Sequence, residues 1–240
     1  MNPLEQFAIY NLINLKIFNV DISFTNSALF MLIALLLLVA IICIALRHQA
    51  LIPSKAQASF EIIYDELSAL IEDTIGQKYM DSYKGLIISI FSTIFVLNLI
   101  GTIPFSFPVT SHFAVTATFA LIIFMTSVLT GFYLHGVRFL KIFLPSGIPT
   151  ALMPLMMVIE FFSFFSRPMS LAIRLGANII AGHIVLEVIA SFILPIGLFG
   201  IFPFLFLTVL MGFEIFVAVL QAYVFTILSC IYISEAIKMH

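Results

Sequence analysis

Charge is what this 240-residue sequence has least of. Only 9% of its residues are Asp, Glu, Lys or Arg, and the formal net charge is −2. A soluble domain carries about 25% charged residues, so the composition excludes a water-soluble globule. The near-neutral balance, with no basic patch, also excludes a disordered chain or a nucleic-acid-binding protein. Hydrophobic residues make up 62% of the sequence, and the mean hydropathy is +1.22.

Cysteine is also scarce. The two cysteines, Cys43 and Cys230, both lie in apolar runs, so the sequence holds neither a disulfide framework nor a CxxC metal site. It also lacks the short alternating strands of a membrane β-barrel, because its apolar residues form long continuous runs. The remaining fold class is an all-α polytopic membrane protein.

Five apolar runs are long enough to cross a bilayer as helices, since a spanning helix needs about 20 apolar residues. The first exceeds the apolar core of a signal peptide and has neither a basic n-region nor a small-residue cleavage site. We therefore predict a single membrane domain over 1–240, with an N-terminal segment at 1–26. The predicted spans cover residues 28–46, 86–107, 113–134, 148–192 and 201–237.

The connection at 54–80 has a different pattern. Apolar residues such as Phe60, Leu67 and Ile71 recur at steps of three and four, while acidic residues fill the other face. This pattern predicts an amphipathic helix lying in the membrane interface. A small soluble hairpin is the alternative.

Basic residues indicate the orientation of the spans. The loops 47–85 and 135–147 contain Lys and Arg, whereas the loop 108–112 contains none. Because short cytoplasmic loops are enriched in Lys and Arg, both basic loops are predicted inside and the N-terminus outside. Lys238 predicts an inside C-terminus, which agrees with five spans.

The element at 148–192 is too long for a simple crossing. As a helix it would extend about 66 Å, whereas the hydrocarbon core is about 30 Å thick. It is therefore either one strongly tilted helix or two crossings broken at Pro168. One helical face carries a polar stripe that continues in phase across Pro168: Glu160, Ser163, Arg167, Ser170, Arg174 and Asn178. The stripe favours one helix, because a proline can bend a helix without ending it.

Ionisable residues inside spans are rare, since each costs about 2.5–3.5 kcal/mol on insertion scales. Here they concentrate in the last two elements, which indicates that function lies in residues 160–235. The earlier spans contribute only Asn98, and an asparagine in a span most often bridges helices. The charged, histidine and side-chain amide residues of the last two elements are Glu160, Arg167, Arg174, Asn178, His183, Glu187, Glu214, Gln221 and Glu235.

In the predicted orientation, the protonatable residues form two clusters at different depths, with Arg174 between them. An arginine does not deprotonate in a protein, so it blocks a proton path. Two half-paths separated by a fixed cation are useful only if a mobile partner carries a carboxylate from one to the other. The inner cluster is Glu160 and Glu235, and the outer cluster is His183, Glu187 and Glu214.

Two spacings have structural alternatives. Glu160 and Arg167 are one heptad apart, so they form either a structural ion pair or part of a proton path. His183 and Glu187 have the i,i+4 spacing of a metal pair, but no third ligand is evident, and no metal is predicted. Arg174 has no carboxylate three or four residues away, which argues against a purely structural role.

Several runs resemble subunit a of the F-type ATP synthase over essentially the whole chain. The most specific are PMSLAIRLGANIIAGH at 168–183 and GFEIFVAVLQAYVF at 212–225. Further runs are NPLEQF at 2–7, SFTNSALFML at 23–32 and NLIGTIPFSFPVTSH at 98–112. The form is similar to the alphaproteobacterial and mitochondrial branch. This implies a bacterial inner membrane, with the mitochondrial inner membrane as the alternative.

The resemblance implies a stator subunit that packs two long tilted helices against a rotating ring of c subunits. Its other partners would be subunit b, the remaining synthase subunits and the lipid bilayer, and its cargo would be protons. Arg174 matches the family's essential arginine, and Asn178 and Gln221 match its neighbours facing the ring. The choice between proton and sodium depends largely on the ring.

The same resemblance implies roles for the remaining polar residues. His183 and Glu214 match groups of the outer half-channel, with Glu187 beside them, and Glu160 and Glu235 match groups of the inner one. No cofactor is implied.

Two other classes of function fit the sequence less well. A self-contained secondary transporter with an intramembrane Arg/Glu/His site is the alternative, but such proteins often have repeated halves and no repeat is evident. An intramembrane enzyme is disfavoured because neither HExxH nor GxSxG occurs. The sequence has no GxxxxGK[ST] motif, so we predict a non-catalytic subunit that binds no nucleotide and leaves ATP chemistry to its partners.

Overall fold

The computed structural model describes residues 7–14, 16–17, 20–21, 23–47, 53–103, 106–143 and 152–238. Within these ranges the chain forms six α-helices, and five of them are long and apolar enough to cross a membrane. The all-α polytopic fold class is therefore confirmed. The helices are α1 (Asn26–Leu46), α2 (Lys55–Ile75), α3 (Gln77–Gly101), α4 (Phe113–His135), α5 (Met153–Ile193) and α6 (Ile201–Lys238).

Two small antiparallel ladders precede α1, in a segment for which the sequence suggested no structure. Strand β1 (Asn11–Ile13) pairs with β4 (Phe24–Thr25), and β2 (Lys16–Ile17) pairs with β3 (Val20–Asp21). Asn26, at the start of α1, fastens this segment: its side-chain amide donates to Ala8 O at 3.0 Å, and its Oδ1 accepts from Tyr10 N at 3.2 Å. Residues 1–6 of the predicted N-terminal segment lie outside the described residues.

The amphipathic helix is shorter than its predicted range of 54–80. Ser54 caps the start of α2 by accepting a hydrogen bond from Gln57 N at 3.3 Å. The helix ends just before Gly76, whose φ of 96° is accessible mainly to glycine. Helix α3 begins at the next residue, well before the predicted span start at residue 86. Hydropathy misses this start because the first two turns of α3 are polar.

The second span also ends earlier than the predicted residue 107. Helix α3 stops at Gly101, and a short 3-10 turn at Val109–Ser111 leads into α4. Ser106 adds a hydrogen bond at the end of α3, because its Oγ donates at 2.6 Å to Ile100 O, which also accepts from Ile103 N. The apolar run in the sequence therefore extends six residues beyond the end of the helix.

The two long elements are single helices in the described ranges. Helix α5 has 41 residues and passes through Pro168 without a break, and α6 has 38. At 1.5 Å per residue they are about 60 Å long, twice the hydrocarbon thickness, so a strong tilt is needed to keep them in a bilayer. Residues 148–151 of the predicted element lie outside the described part.

The core lies where α3 and α4 pack on one face of the α5–α6 pair. Its centre consists of fully buried side chains from all four helices, including Ile94, Ile123, Leu175 and Phe225. Helix α2 covers the α6 terminus, where Ser234 Oγ and Lys238 Nζ both donate to Thr74 O, at 2.7 and 2.9 Å. The opposite face of α5 and α6 remains exposed.

Candidate functional site

Polar side chains join α5 and α6 at three levels along an otherwise apolar contact. The levels are Arg167 with Glu235, Asn178 with Gln221, and His183 with Glu214. Since the numbers rise on one helix as they fall on the other, the helices are antiparallel. We call the following residues the polar seam: Glu160, Arg167, Arg174, Asn178, His183, Glu214, Gln221 and Glu235.

At the first level, Arg167 bridges two carboxylates. Its Nη2 lies 3.8 Å from Glu160 Oε1, and its Nη1 donates to Glu235 Oε2. The guanidinium also lies 5.7 Å from the centre of the Tyr232 ring, a cation–π distance. The sequence suggested the pairing of Arg167 with Glu160 as one alternative but missed Glu235, which is 68 residues away. Glu160 and Glu235 are thus brought together through a cation.

The middle level contains amide groups and Arg174. Asn178 Nδ2 donates to Gln221 Oε1 at 2.9 Å, and Gln221 is buried while Asn178 is exposed. Arg174 lies one turn before Asn178 on the exposed face of α5. No carboxylate of the described residues lies within 4.0 Å of its guanidinium. Arg174 therefore presents a cation at the outward surface of the pair.

At the third level, His183 and Glu214 are both buried. His183 Nε2 lies 2.7 Å from Gly101 O and 3.9 Å from Glu214 Oε1. Since a carbonyl only accepts, the Nε2–H donates to Gly101 at the end of α3. Neither carboxylate oxygen of Glu214 has a hydrogen-bond partner among the residues that the structure describes.

Gly182 makes room for the Glu214 carboxylate. A Cβ at position 182 would lie 2.6 Å from Glu214 Oε1, closer than real contacts allow. An open cavity of about 390 Å³ adjoins this point on the exposed side, lined by Asn178, Gly182, Phe213 and Glu214 among others. Glu214 therefore lies between the core and a space that opens toward the outward face.

Two further residues lie beside the third level, Phe7 and Glu187. The ring of Phe7 meets the His183 imidazole edge-on, with centroids 6.2 Å apart. Glu187 lies one turn after His183 on α5. Two residues of the predicted outer cluster, His183 and Glu214, thus lie close together between α5 and α6, and His183 also contacts α3 and the N-terminal segment.

Asn98 also contacts the pair, from the core side. It is fully buried, and its Nδ2 donates to Ala218 O at 3.3 Å, between Glu214 and Gln221 on α6. This is the helix-bridging role that the sequence predicted for an asparagine in a span. In the described ranges, no group of three or more His, Cys, Asp and Glu side chains is arranged to hold a metal ion.

The fold and the seam together define a class: a polytopic helical membrane protein with ionisable residues built into the contact between its two longest helices. Comparison with known sequences narrows this class. The family described as ATP synthase A chain matches residues 28–234.

Two curated relatives, both named ATP synthase subunit a, come from Wolbachia sp. subsp. Drosophila simulans (strain wRi) and Wolbachia sp. subsp. Brugia malayi (strain TRS). Each is 45% identical to this chain over 240 residues, and each match covers 99% of both proteins. The chain belongs to the ATP synthase A chain family, as the sequence resemblance predicted. Membership supports a role in the membrane sector of an ATP synthase.

Proposed function

We propose that this chain is the proton-conducting stator subunit of an F-type ATP synthase membrane sector. It forms two offset half-channels against a rotating ring of c subunits and couples proton flow to ATP synthesis. The observation that carries the proposal is the position of Arg174, an exposed cation between the two clusters of ionisable residues on the outward face of α5.

The proposed orientation follows from the basic loops. With 47–85 and 135–147 inside, the N-terminus lies outside and Lys238 inside. His183 and Glu214 then lie in the outer half of the bilayer, and Glu160 and Glu235 toward the inside. The membrane is an inner membrane, bacterial in view of the relatives' organisms.

Arg174 separates the half-channels electrostatically. A ring carboxylate that faces lipid must be protonated, because a bare charge there is costly. Next to Arg174 the ionised form is favoured: at about 4 Å and an effective dielectric of about 20, the attraction is about 4 kcal/mol. The carboxylate therefore gives up its proton on one side of Arg174 and takes another before it re-enters lipid.

The seam supplies the two proton paths in this proposal. In the outer half-channel, protons pass His183 and Glu214, with Glu187 one turn further out, to the cavity beside Gly182. Asn178, one turn from Arg174, faces the ring and is bonded to the buried Gln221. In the inner half-channel, protons leave past Glu160 and Glu235.

The membrane potential gives rotation its direction. Each 100 mV contributes about 2.3 kcal/mol per proton. The chain itself performs no nucleotide chemistry in this proposal. Subunit b and the other synthase subunits hold it as the stator, and the soluble subunits carry out ATP synthesis.

The decisive experiment replaces Arg174. An Arg174→Ala complex, reconstituted in vesicles, is tested for ATP-driven acidification with a pH-sensitive dye. We expect pumping and ATP synthesis to be abolished, because the ring carboxylate no longer meets a fixed cation. Arg138→Ala is the matched control, since Arg138 is an exposed arginine outside the seam. Normal pumping by Arg174→Ala would refute the proposed mechanism.

A further inference from the structure

The segment between α3 and α4 forms a second polar region, which we call the outer turn and define as residues 106–112. Two buried polar atoms in it, Thr110 Oγ1 and His112 Nε2, have no hydrogen-bond partner in the described part of the chain. A third such atom, Asn98 Oδ1, lies on α3. Thr110 and Asn98 are both completely buried.

These residues approach α5 and α6 from the core side. A Cβ at Gly176 would lie 3.5 Å from Thr110 O and 3.7 Å from Ser111 O, so the outer turn touches α5 two residues after Arg174. Asn98 contacts α6 at Ala218. Gly101, just before the outer turn, accepts the His183 hydrogen bond. The turn and α3 therefore face the seam across its outer half.

The His112 imidazole is held in one orientation. It stacks on Phe107, with ring centroids 5.1 Å apart and planes 18° apart. The backbone around it is fixed as well, because His112 N donates to Val109 O and His112 O accepts from Val115 N and Thr116 N at the start of α4. Because one face of the imidazole lies against the Phe107 ring, the buried nitrogen Nε2 is directed into the protein interior.

Buried polar atoms almost always find a partner, and ordered water supplies it where the protein does not. Both Glu214 carboxylate oxygens and Gln221 Nε2 are likewise without a partner among the described residues. These atoms belong to α3, the outer turn and α6, on the core side of the middle and outer levels of the seam. A chain of water molecules would satisfy them together, and such a chain conducts protons.

We propose that His112 is a proton-relay residue of the outer half-channel, which runs from the outer turn past Thr110 and Asn98 to Glu214 on the core side of α5 and α6. The inference rests on the proposed function. The imidazole accepts a proton from outer water on one ring nitrogen and releases one from the other to the water chain. No bond other than those to hydrogen changes.

The charge state and surroundings of His112 suit this role. Burial lowers the pKa of His112, so the imidazole is neutral at pH 7 and one nitrogen is free to accept a proton. The outer turn contains no Lys or Arg, so no fixed cation of its own repels incoming protons.

The first test compares two histidines at opposite ends of α4. His112→Gln keeps a polar side chain but cannot relay a proton, and we expect passive proton conduction through the membrane sector, stripped of its soluble part, to fall several-fold. His135→Gln is the control, because His135 Nε2 bonds Ile237 O at the other end of the helix. Assembly is verified by co-purification of the c ring. Conduction by His112→Gln at the parental rate would overturn the relay role.

The second test measures water access directly and does not depend on the histidine variant. Thr110→Cys and Thr118→Cys are made after Cys43 and Cys230 have been replaced by serine, and a charged methanethiosulfonate reagent is added from the outer side. We expect Thr110→Cys to react although Thr110 is buried, and Thr118→Cys, on the exposed face of α4, to stay unreacted in lipid. An unreactive Thr110→Cys would overturn the path.

The two proposals fail in different ways. Normal pumping by Arg174→Ala would reject the stator mechanism, whereas labelling at position 110 would still establish a water path. Loss of pumping in Arg174→Ala together with an unreactive Thr110→Cys would leave the stator mechanism in place and reject this route.

Discussion

The two ends of the polar seam hold their carboxylates in different ways. At the carboxyl-terminal end of α6, Glu160 and Glu235 share the guanidinium of Arg167, and all three side chains are partly exposed. At the other end, Glu214 is buried beside a histidine, and its oxygens have no hydrogen-bond partner within the described residues. The first arrangement offsets carboxylate charge with a cation of the same chain, and the second leaves hydrogen-bonding capacity for water. Mutations at the first end are therefore expected to act through the loss of ion pairs, and mutations at the second end through packing and the proton path.

A large stability effect is expected from Arg167→Gln. The substitution leaves Glu160 and Glu235 without a cation, and we expect a loss of between about 1 and 3 kcal/mol, because the pair is neither fully buried nor fully exposed. The measurement is the thermal unfolding of the solubilised complex. The double variant Arg167→Gln/Glu235→Gln should recover part of the loss, and equal stability of all three proteins would contradict a structural role for the bridge.

Gly182→Ala should disturb the other end through packing. The new methyl group collides with the Glu214 carboxylate, and we expect a cost of about 1–3 kcal/mol from overpacking together with slower ATP-driven pumping. Gly212→Ala is the matched control, since nothing lies within 4 Å of a Cβ there. That variant should be neutral or slightly stabilising, because alanine favours helix. Equal behaviour of the two variants would show that Glu214 does not need the space.

His183→Ala should slow transport without uncoupling it. The variant loses the hydrogen bond to Gly101 and a relay group, but it keeps Arg174 as the barrier, and water or Glu187 partly replaces the imidazole. We expect proton-driven ATP synthesis to fall and passive proton leak to stay unchanged in reconstituted vesicles, and Glu214→Ala should behave alike. Rapid leak through His183→Ala would show that this histidine belongs to the barrier.

Asn178→Ala should have the smallest effect. Its hydrogen bond to Gln221 is partly exposed, and a bond of this kind contributes about 1 kcal/mol. A double-mutant cycle with Gln221→Ala, followed by thermal unfolding, measures the coupling between the two amides. A coupling indistinguishable from zero would show that the pair does not hold the helices together.

Much of the fold could be predicted because bilayer thickness and continuous hydropathy limit the possibilities to spanning helices. The exceptions occur where local backbone chemistry outweighs hydropathy. Gly76 separates α2 from α3 within a polar stretch, and Ser106 helps to end α3 inside an apolar one. The short strands before α1 depend on Asn26 contacts across 16 and 18 residues, which no local pattern reveals.

The candidate site was only partly predictable for a related reason. Helical periodicity places Arg167, Arg174 and Asn178 on one stripe of α5, because residues on one helix have a fixed angular relation. Helical periodicity does not indicate which residue of another helix lies opposite a given residue of α5. The bridge from Arg167 to Glu235 and the close fit of Gly182 to Glu214 both depend on how two helices pack.

The sequence by itself determined that this chain is a membrane protein of five apolar spans, with its ionisable residues in the last two and a family signature around Arg174. These properties follow from composition, local periodicity and motif, which need no knowledge of distant contacts. Only the tertiary structure decided that Arg167 bridges two carboxylates, that His183 bonds Gly101, and that the outer turn lies against Gly176. The physical reason is that such contacts join residues far apart in the chain, so their geometry is set by helix packing.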